Sequence, residues 1–231
     1  MTDTTTPLAA IILAAGKGTR MNSQIPKVLH KIAGRTMLEH VMASVAELEP
    51  ARLVVVVGAG REQIEAVVGE RATICLQEPQ LGTAHAVQQA EAALAGFAGD
   101  VLVLCGDVPF VTPGTMRALR ARLHAPDQPA VVVLGFEPAD PRAYGRVIAD
   151  AAGRIRKMVE YKDADAAERA CRLCNSGLLA ARAADLFALL RGVGNANAQG
   201  EYYLPDIVNI AIAEGRACAV VVAPDPDEVA G

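Results

Sequence analysis

Glycine, lysine and arginine crowd one short stretch near the amino terminus. Gly16, Lys17, Gly18, Thr19 and Arg20 follow the apolar run 8–15, and Lys27 stands behind Pro26. A buried strand that breaks into a glycine-rich turn presents several backbone N–H groups at one point. Those donors, with cations close by in sequence, suit a polyphosphate. Glycine lets the chain bend tightly and keeps a Cβ out of the way of phosphate oxygens. The spacing is not that of a Walker loop, since Gly-x4-Gly-Lys-Ser/Thr is absent. It is not the dinucleotide fingerprint either, because Met21 stands where the third glycine of Gly-x-Gly-x-x-Gly belongs. A bare Gly-x-Gly after a strand also fits a plain tight turn.

Further along, Asp107 closes the segment Cys105-Gly106-Asp107 behind an apolar strand. An acid there can hold Mg²⁺, which takes oxygen ligands and keeps waters and phosphates in its shell; the plainer reading is a turn cap before Pro109. Gln77 offers a donor and an acceptor on one amide, which matches a pyrimidine edge, and Gly82 lets main-chain atoms reach the same base. Thr83 reads equally as a helix N-cap. Tyr144-Gly145-Arg146, Glu160 and Asn175-Ser176-Gly177 supply polar groups for sugar hydroxyls and glycines where a ring comes close, although Glu160 beside Lys162 also reads as a surface ion pair. His30, His40, His85 and His124 make no pattern, and no Ser-His-Asp or Cys-His arrangement is visible. That fits a reaction needing no protein nucleophile. Cys171 and Cys174 form a lone Cys-x-x-Cys, best read as packing.

The elements that must carry these residues alternate. Apolar runs at 8–15, 53–57, 72–76, 100–104 and 130–136 predict strands. Helical periodicity over 37–48, ended by Pro50, a short helix around 64–68, a helix from about 83 to about 94 and one capped by Thr112 to about 124 separate them. This predicts an α/β fold, a doubly wound and mostly parallel sheet with helices on both faces. Beyond 136 the style changes. Segments 145–150 and 154–161 read as a hairpin, 163–170 as helix and 173–181 as extended. Helices near 183–191 and 204–214 and a strand at 217–223 follow, with 192–200 a surface loop. One domain, 1–231, is expected, with a nucleotide-binding half to about 136 and a smaller sugar-binding lobe from about 137.

At 231 residues the chain can bury a full core, and 52% hydrophobic against 3% aromatic residues favours aliphatic packing over base-stacking platforms. A formal charge of −4 argues against broad electrostatic binding to nucleic acid, so local positive charge must serve a smaller anion. Residues 1–7 have no basic n-region and no spanning helix follows, so no membrane partner and a cytoplasmic location are expected. Five cysteines, an odd count in a long chain, fit reduced thiols.

Taken together, Leu-x-Ala-Gly-x-Gly-Thr-Arg-Met and Pro26-Lys27 resemble the sugar-phosphate nucleotidyltransferases. Within them the chain resembles the uridylyltransferase half of the bacterial bifunctional N-acetylglucosamine-1-phosphate uridylyltransferase/glucosamine-1-phosphate acetyltransferases. LAAGKGTRM, PKVLH, QEPQLGTAHA, CGDVP, YGRVI, VEYKDA, CNSGL and NAQGEYYLPDI stand in family order over nearly the whole chain. The resemblance implies a nucleotide-diphospho-sugar transferase fold and the reaction of UTP with N-acetylglucosamine 1-phosphate, giving UDP-N-acetylglucosamine and pyrophosphate with Mg²⁺, a precursor step for peptidoglycan and lipopolysaccharide. It implies that Leu13, Ala14, Ala15, Gly16 and Lys27 hold the nucleotide and that Gln77 and Gly82 read uracil. Thr83, Gly145, Glu160 and Asn175 would hold the sugar. Asp107 is the implied metal ligand, flanked by Cys105 and Gly106, with Lys27 at the α-phosphate and Arg20, more than Lys17, at the departing pyrophosphate.

Three departures accompany it. Cys105 stands where some relatives have Tyr, and Pro205 where Thr is common. The family Asn that completes the Mg²⁺ site follows a Glu-Val-x-Gly segment, here Glu228-Val229-Ala230-Gly231, where this sequence stops. A first domain without its β-helix acetyltransferase partner is expected. Another sugar phosphate and triphosphate pair, such as glucose 1-phosphate with UTP or dTTP, a CTP-using relative, and an inactive nucleotide-sugar-binding module remain as alternatives.

Overall fold

The computed structural model describes residues 6–16, 23, 25–141 and 143–229. In chain order, β1 (Leu8–Ala14) leads to a small hairpin of β2 (Lys31–Ile32) and β3 (Arg35–Thr36) and then to α1 (Met37–Ala46). There follow β4 (Arg52–Val57), α2 (Arg61–Val68), β5 (Thr73–Leu76), α3 (Thr83–Gln88), β6 (Asp100–Cys105), α4 (Pro113–Leu123) and β7 (Val131–Phe136). The remainder contributes β8 (Arg146–Ala149), β9 (Ile155–Val159), α5 (Ala166–Ala170), β10 (Cys174–Arg182), α6 (Ala183–Leu190), α7 (Asp206–Ala213) and β11 (Cys218–Val222).

Local chemistry sets the helix starts. The Thr36 hydroxyl accepts from Glu39 N at 3.2 Å while the Glu39 carboxylate accepts from Thr36 N at 2.9 Å, a reciprocal cap on α1. Thr112 caps α4, whose first residue is Pro113, a position where a missing N–H costs nothing. The helix expected to run from 83 to about 94 is shorter. Regular α-helix ends at Gln88, and tighter turns follow, with Ala90 N donating to Val87 O and Glu91 N to Gln88 O, both at 3.0 Å. These turns carry both Ala90 and Leu94 into the core.

The main sheet runs β11-β7-β10-β6-β1-β4-β5, with the β8–β9 hairpin attached through β10. Neighbours are parallel except around β10, which is antiparallel to both β6 and β7. The mostly parallel sheet read from the alternation is therefore present, and the residues after 136 enter it directly. Leu179 of β10 lies opposite Val103 on one side and Val133 on the other. Side chains alternate across the sheet. Ala9 and Ile11 join α3, α6 and α7 in one core layer, while Leu8, Ala10 and Ile12 join α1, α2 and α4 in the other. Both faces being covered explains why the central strands are continuously apolar.

At the amino-terminal edge, Asp100 is fully buried and is met by Arg120 Nε at 3.1 Å and His124 Nε2 at 2.9 Å, so the buried charge is paired. No helix among the described residues is long and apolar enough to cross a membrane.

Candidate active site

The order of strands reverses between β1 and β6: the chain moves outward from β1 to β4 and β5, then returns to β6 on the other side. A parallel sheet opens a crevice at its carboxyl ends at such a point. Leu13 and Cys105 are partners there, and Gly106 N donates to Leu13 O at 2.9 Å. A Cβ on Gly106 would lie 3.1 Å from both Leu13 O and Val28 Cγ1, so glycine lets the end of β6 pass close under β1. Asp107 then emerges at the rim. Opposite it a 3-10 turn, Lys27–Leu29, buries Val28 and Leu29 and leaves Lys27 facing the crevice. Lys27 Nζ and Asp107 Oδ2 are 2.8 Å apart, and each side chain keeps 33% of its surface exposed, enough to exchange this partner for a ligand. The reading of Asp107 as a turn cap gives way to this ion pair.

The crevice holds about 600 Å³ and is lined by Leu13, Ala15, Gly16, Lys27, Gln77, Gly82, Thr83, Cys105 and Asp107. A recess of about 120 Å³ continues from it past Leu13, Thr83 and Cys105 and adds Glu160 and Asn175. Residues nominated from both halves of the sequence thus line one continuous space. Ala14 turns its side chain into the core instead, and Gly106 and Gly145 are buried supports. Lys17 and Arg20 lie outside the described residues.

Each wall has a local cause. Gln77 is 4% exposed; its Nε2 donates to Gly82 O at 2.8 Å and meets His85 Nδ1 at 3.1 Å, which fixes the carboxamide and accounts for His85. Gly82 has φ +117°, and a Cβ there would strike Tyr202 N at 2.7 Å as well as its carbonyl. Gly82, not Thr83, occupies the cap position of α3. The Thr83 hydroxyl accepts from Leu204 N at 2.9 Å instead, tying the loop to the recess.

Asn175 sits at a register shift in β10, a bulge that re-aims side chains. Asn175 N donates to Gly145 O at 2.9 Å, and its Oδ1 accepts from Gly177 N at 3.0 Å. Gly177, at φ +85°, leaves room for Cys105 Sγ, which would stand 3.0 Å from a Cβ. Burial, with a smaller push from the Asp107 carboxylate, lifts the Cys105 thiol to about 12, so it is a neutral wall here.

The Glu160 carboxylate packs against Gly145, where a Cβ would lie 3.2 Å from both of its oxygens. Burial raises its pKa, reinforced by Asp206, Asp163 and Glu201. Lys162 donates to Gln199 Oε1 at 2.6 Å. Met158, Leu204 and Pro205 on the recess, and Gln80 and Glu201 on the crevice, were not nominated from sequence; all but Met158 stand inside the quoted motifs QEPQLGTAHA and NAQGEYYLPDI, where no residue type singled them out. Beyond Asp107, Glu228 Oε1 accepts from Thr112 N at 2.6 Å and Val229 is buried, so this segment docks at the start of α4.

Two solved structures share the fold. UDP-glucose pyrophosphorylase complexed with UDP-glucose matches with a TM-score of 0.73 at 18% identity, over 93% of this chain and 90% of that one. The inositol-1-phosphate CTP transferase from T. maritima matches with a TM-score of 0.68 at 19% identity, over 93% and 84%. In sequence, the bifunctional protein GlmU of Novosphingobium aromaticivorans is 71% identical over 97% of this chain, and that of Sphingopyxis alaskensis 66% identical over 97%. The chain spans about half the length of these curated relatives, 50% and 49%. The family model described as a MobA-like NTP transferase domain matches residues 10–171, which include most of β1, the 77–83 loop and Asp107, and the chain belongs to that family.

Proposed function

We propose that the chain transfers a uridylyl group from UTP to N-acetylglucosamine 1-phosphate, giving UDP-N-acetylglucosamine and pyrophosphate. The observation that carries this reading is the Lys27–Asp107 pair at the strand-order reversal, in one space with Gln77 and Gly82 on one wall and Glu160 and Asn175 on another. High identity to the bifunctional GlmU proteins supports the choice of substrates. With the Gln77 amide nitrogen committed to Gly82 O and His85, its oxygen is left to accept, which suits the N3–H of uracil and not the bare N3 of cytosine.

The donor set fits Mg²⁺. Asp107 is a single exposed-edge carboxylate, no cluster of three His, Cys, Asp or Glu able to hold a metal occurs among the described residues, and Mg²⁺ sites commonly use one or two carboxylates completed by phosphates and water. Such an ion, when bound, neutralises phosphate charge. The chain's own residues do the rest. Lys27 leaves Asp107 for the α-phosphate, the main-chain turn at 13–16 aligns the triphosphate, and Glu160, Asn175 and Thr83 orient the sugar. The sugar phosphate oxygen then attacks the α-phosphorus in line and pyrophosphate departs, with no general base required because a phosphate is already ionised. Arg20 would take up charge on the leaving group.

A pyrophosphate-release assay with Mg²⁺ over a panel of nucleoside triphosphates and sugar 1-phosphates tests this. The expected result is preference for UTP with N-acetylglucosamine 1-phosphate; preference for another pair, or nucleotide-sugar binding without turnover, overturns it. In an active form, Lys27→Ala is expected to lower turnover on the order of a hundredfold, the cost of removing a transition-state charge partner. Its melting temperature should move little, because a part-exposed ion pair contributes about 1 kcal/mol or less. Near-normal turnover removes Lys27 from the mechanism.

A further inference from the structure

The loop after β5 and the turn after β1 are joined by one side chain that stands inside QEPQLGTAHA but was given no role above. Gln80 Nε2 donates to the carbonyl oxygen of Ala15. Gly58, just after β4, lies beneath this bond. A Cβ added there would fall on the Gln80 amide and stand 2.8 Å from the Ala15 oxygen. The backbone at Gly58 is not left-handed, so glycine is required here by space alone. Gln80, Ala15 and Gly16 face the same crevice as Lys27 and Asp107.

The other attachments of this loop lead elsewhere. Tyr202 N donates to Leu81 O at 2.8 Å, Ala84 N to Tyr202 O at 2.9 Å and Leu204 N to Thr83 Oγ1 at 2.9 Å, all toward the recess. Gln77 N donates to Val57 O at 2.8 Å, toward β4. Among the described residues, Gln80 supplies the side-chain hydrogen bond that spans from the 77–83 loop to residues 13–16.

We propose that Gln80 is a positioning residue for the nucleotide. Its bond to Ala15 sets the spacing between the loop that meets the base and the turn that meets the phosphates, and Gly58 is small so that the bond can form. This rests on the placement of a nucleoside triphosphate in the crevice. Two contact sets reinforce each other only when their separation matches the ligand that links them, and a pre-set separation spares the cost of ordering the loops on binding. A ligand that touches only one loop gains nothing from the brace.

The test is titration of UTP, uridine and inorganic tripolyphosphate into the wild-type chain, Gln80→Ala and Gln80→Met, with Mg²⁺ present. The Kd for UTP is expected to rise about tenfold in both variants, the effect of one lost hydrogen bond. Uridine and tripolyphosphate should bind all three proteins within about twofold of one another, because each samples one contact set. Met fills the volume of Gln but cannot donate, so rescue by Met would show packing and overturn the proposal. So would unchanged UTP affinity in Gln80→Ala, or an equal loss for the two fragments. If the wild type prefers another triphosphate, the choice of UTP fails and the same comparison with the preferred nucleotide decides the role of Gln80. Absence of triphosphate binding by the wild type overturns both.

Discussion

A glutamate that sits beside a lysine in sequence ends among carboxylates in space. Glu160 and Lys162 suggest a surface pair, yet Lys162 turns to Gln199 while Glu160 packs on Gly145 at the recess. Burial, then Asp206, Asp163 and Glu201, raise its pKa above the ordinary 4.5. The sign follows from linkage. A carboxyl that prefers its proton in the folded state lends stability below the unfolded value and loses it as pH rises through the folded one. Glu160→Gln is therefore expected to melt higher than wild type at neutral pH, by about 2–4 °C for roughly 1 kcal/mol. The difference should vanish as pH falls toward 4. Equal melting temperatures across that range would show that the carboxylate carries no such cost. The same substitution should weaken sugar phosphate binding. Lys27 and Asp107 were legible because each stands in a short motif. The surroundings of Glu160 were not, since two of the three acids that shape it, Glu201 and Asp206, lie more than forty residues away in sequence.

At the scale of elements, the 77–84 loop has a double duty that its composition half conceals. Gly82 reads from sequence as an opening for a base. Its left-handed φ of +117° and the Tyr202 main chain directly behind it add a second demand. The loop and the 202–204 segment pair through backbone bonds, so a side chain at position 82 would push apart the crevice wall and the recess wall together. Gly82→Ala is expected to cost about 2–3 kcal/mol, combining an unfavourable φ with a backbone clash. In a thermal melt that is a fall of roughly 4–12 °C. Binding of nucleotide and of sugar phosphate should suffer together, in contrast to Gln80→Ala. A stable variant with intact binding would mean that the Tyr202 segment yields freely. The bulge at Asn175 belongs with this loop: its Asn-Ser-Gly sequence read as polar groups for a sugar inside an extended run, and the register shift was not foreseen.

For the whole molecule, the alternation of strand and helix up to 136 was readable because each βαβ unit is local. The position of β10 was not. A strand from the second half slides antiparallel between β6 and β7, and nothing in its own residues names those partners. This bears on how the chain folds. Without β10, the inner edges of β6 and β7 would both be unpaired, and the core residues Val103, Val133, Leu102 and Val132 would lose the neighbours they meet across the sheet. The nucleotide half then has no closed sheet of its own, and the recess, which takes Met158, Glu160, Asn175 and Leu204 from the second half, is not formed. Residues 1–136 alone are accordingly expected to show no cooperative urea transition and a tendency to associate through those edges. The chain of 231 residues should unfold in one step, with far-ultraviolet circular dichroism and tyrosine fluorescence sharing a midpoint. Two resolved transitions, or a fragment 1–136 that unfolds cooperatively, would show instead that the nucleotide half is a folding unit and that β10 only docks onto it. In the coupled case a core substitution in β10, such as Leu179→Ala, costs about 2–5 kcal/mol in that single transition. It would also lower nucleotide affinity although Leu179 belongs to no nucleotide motif, because Val103 and Cys105, which carry Asp107, share its sheet.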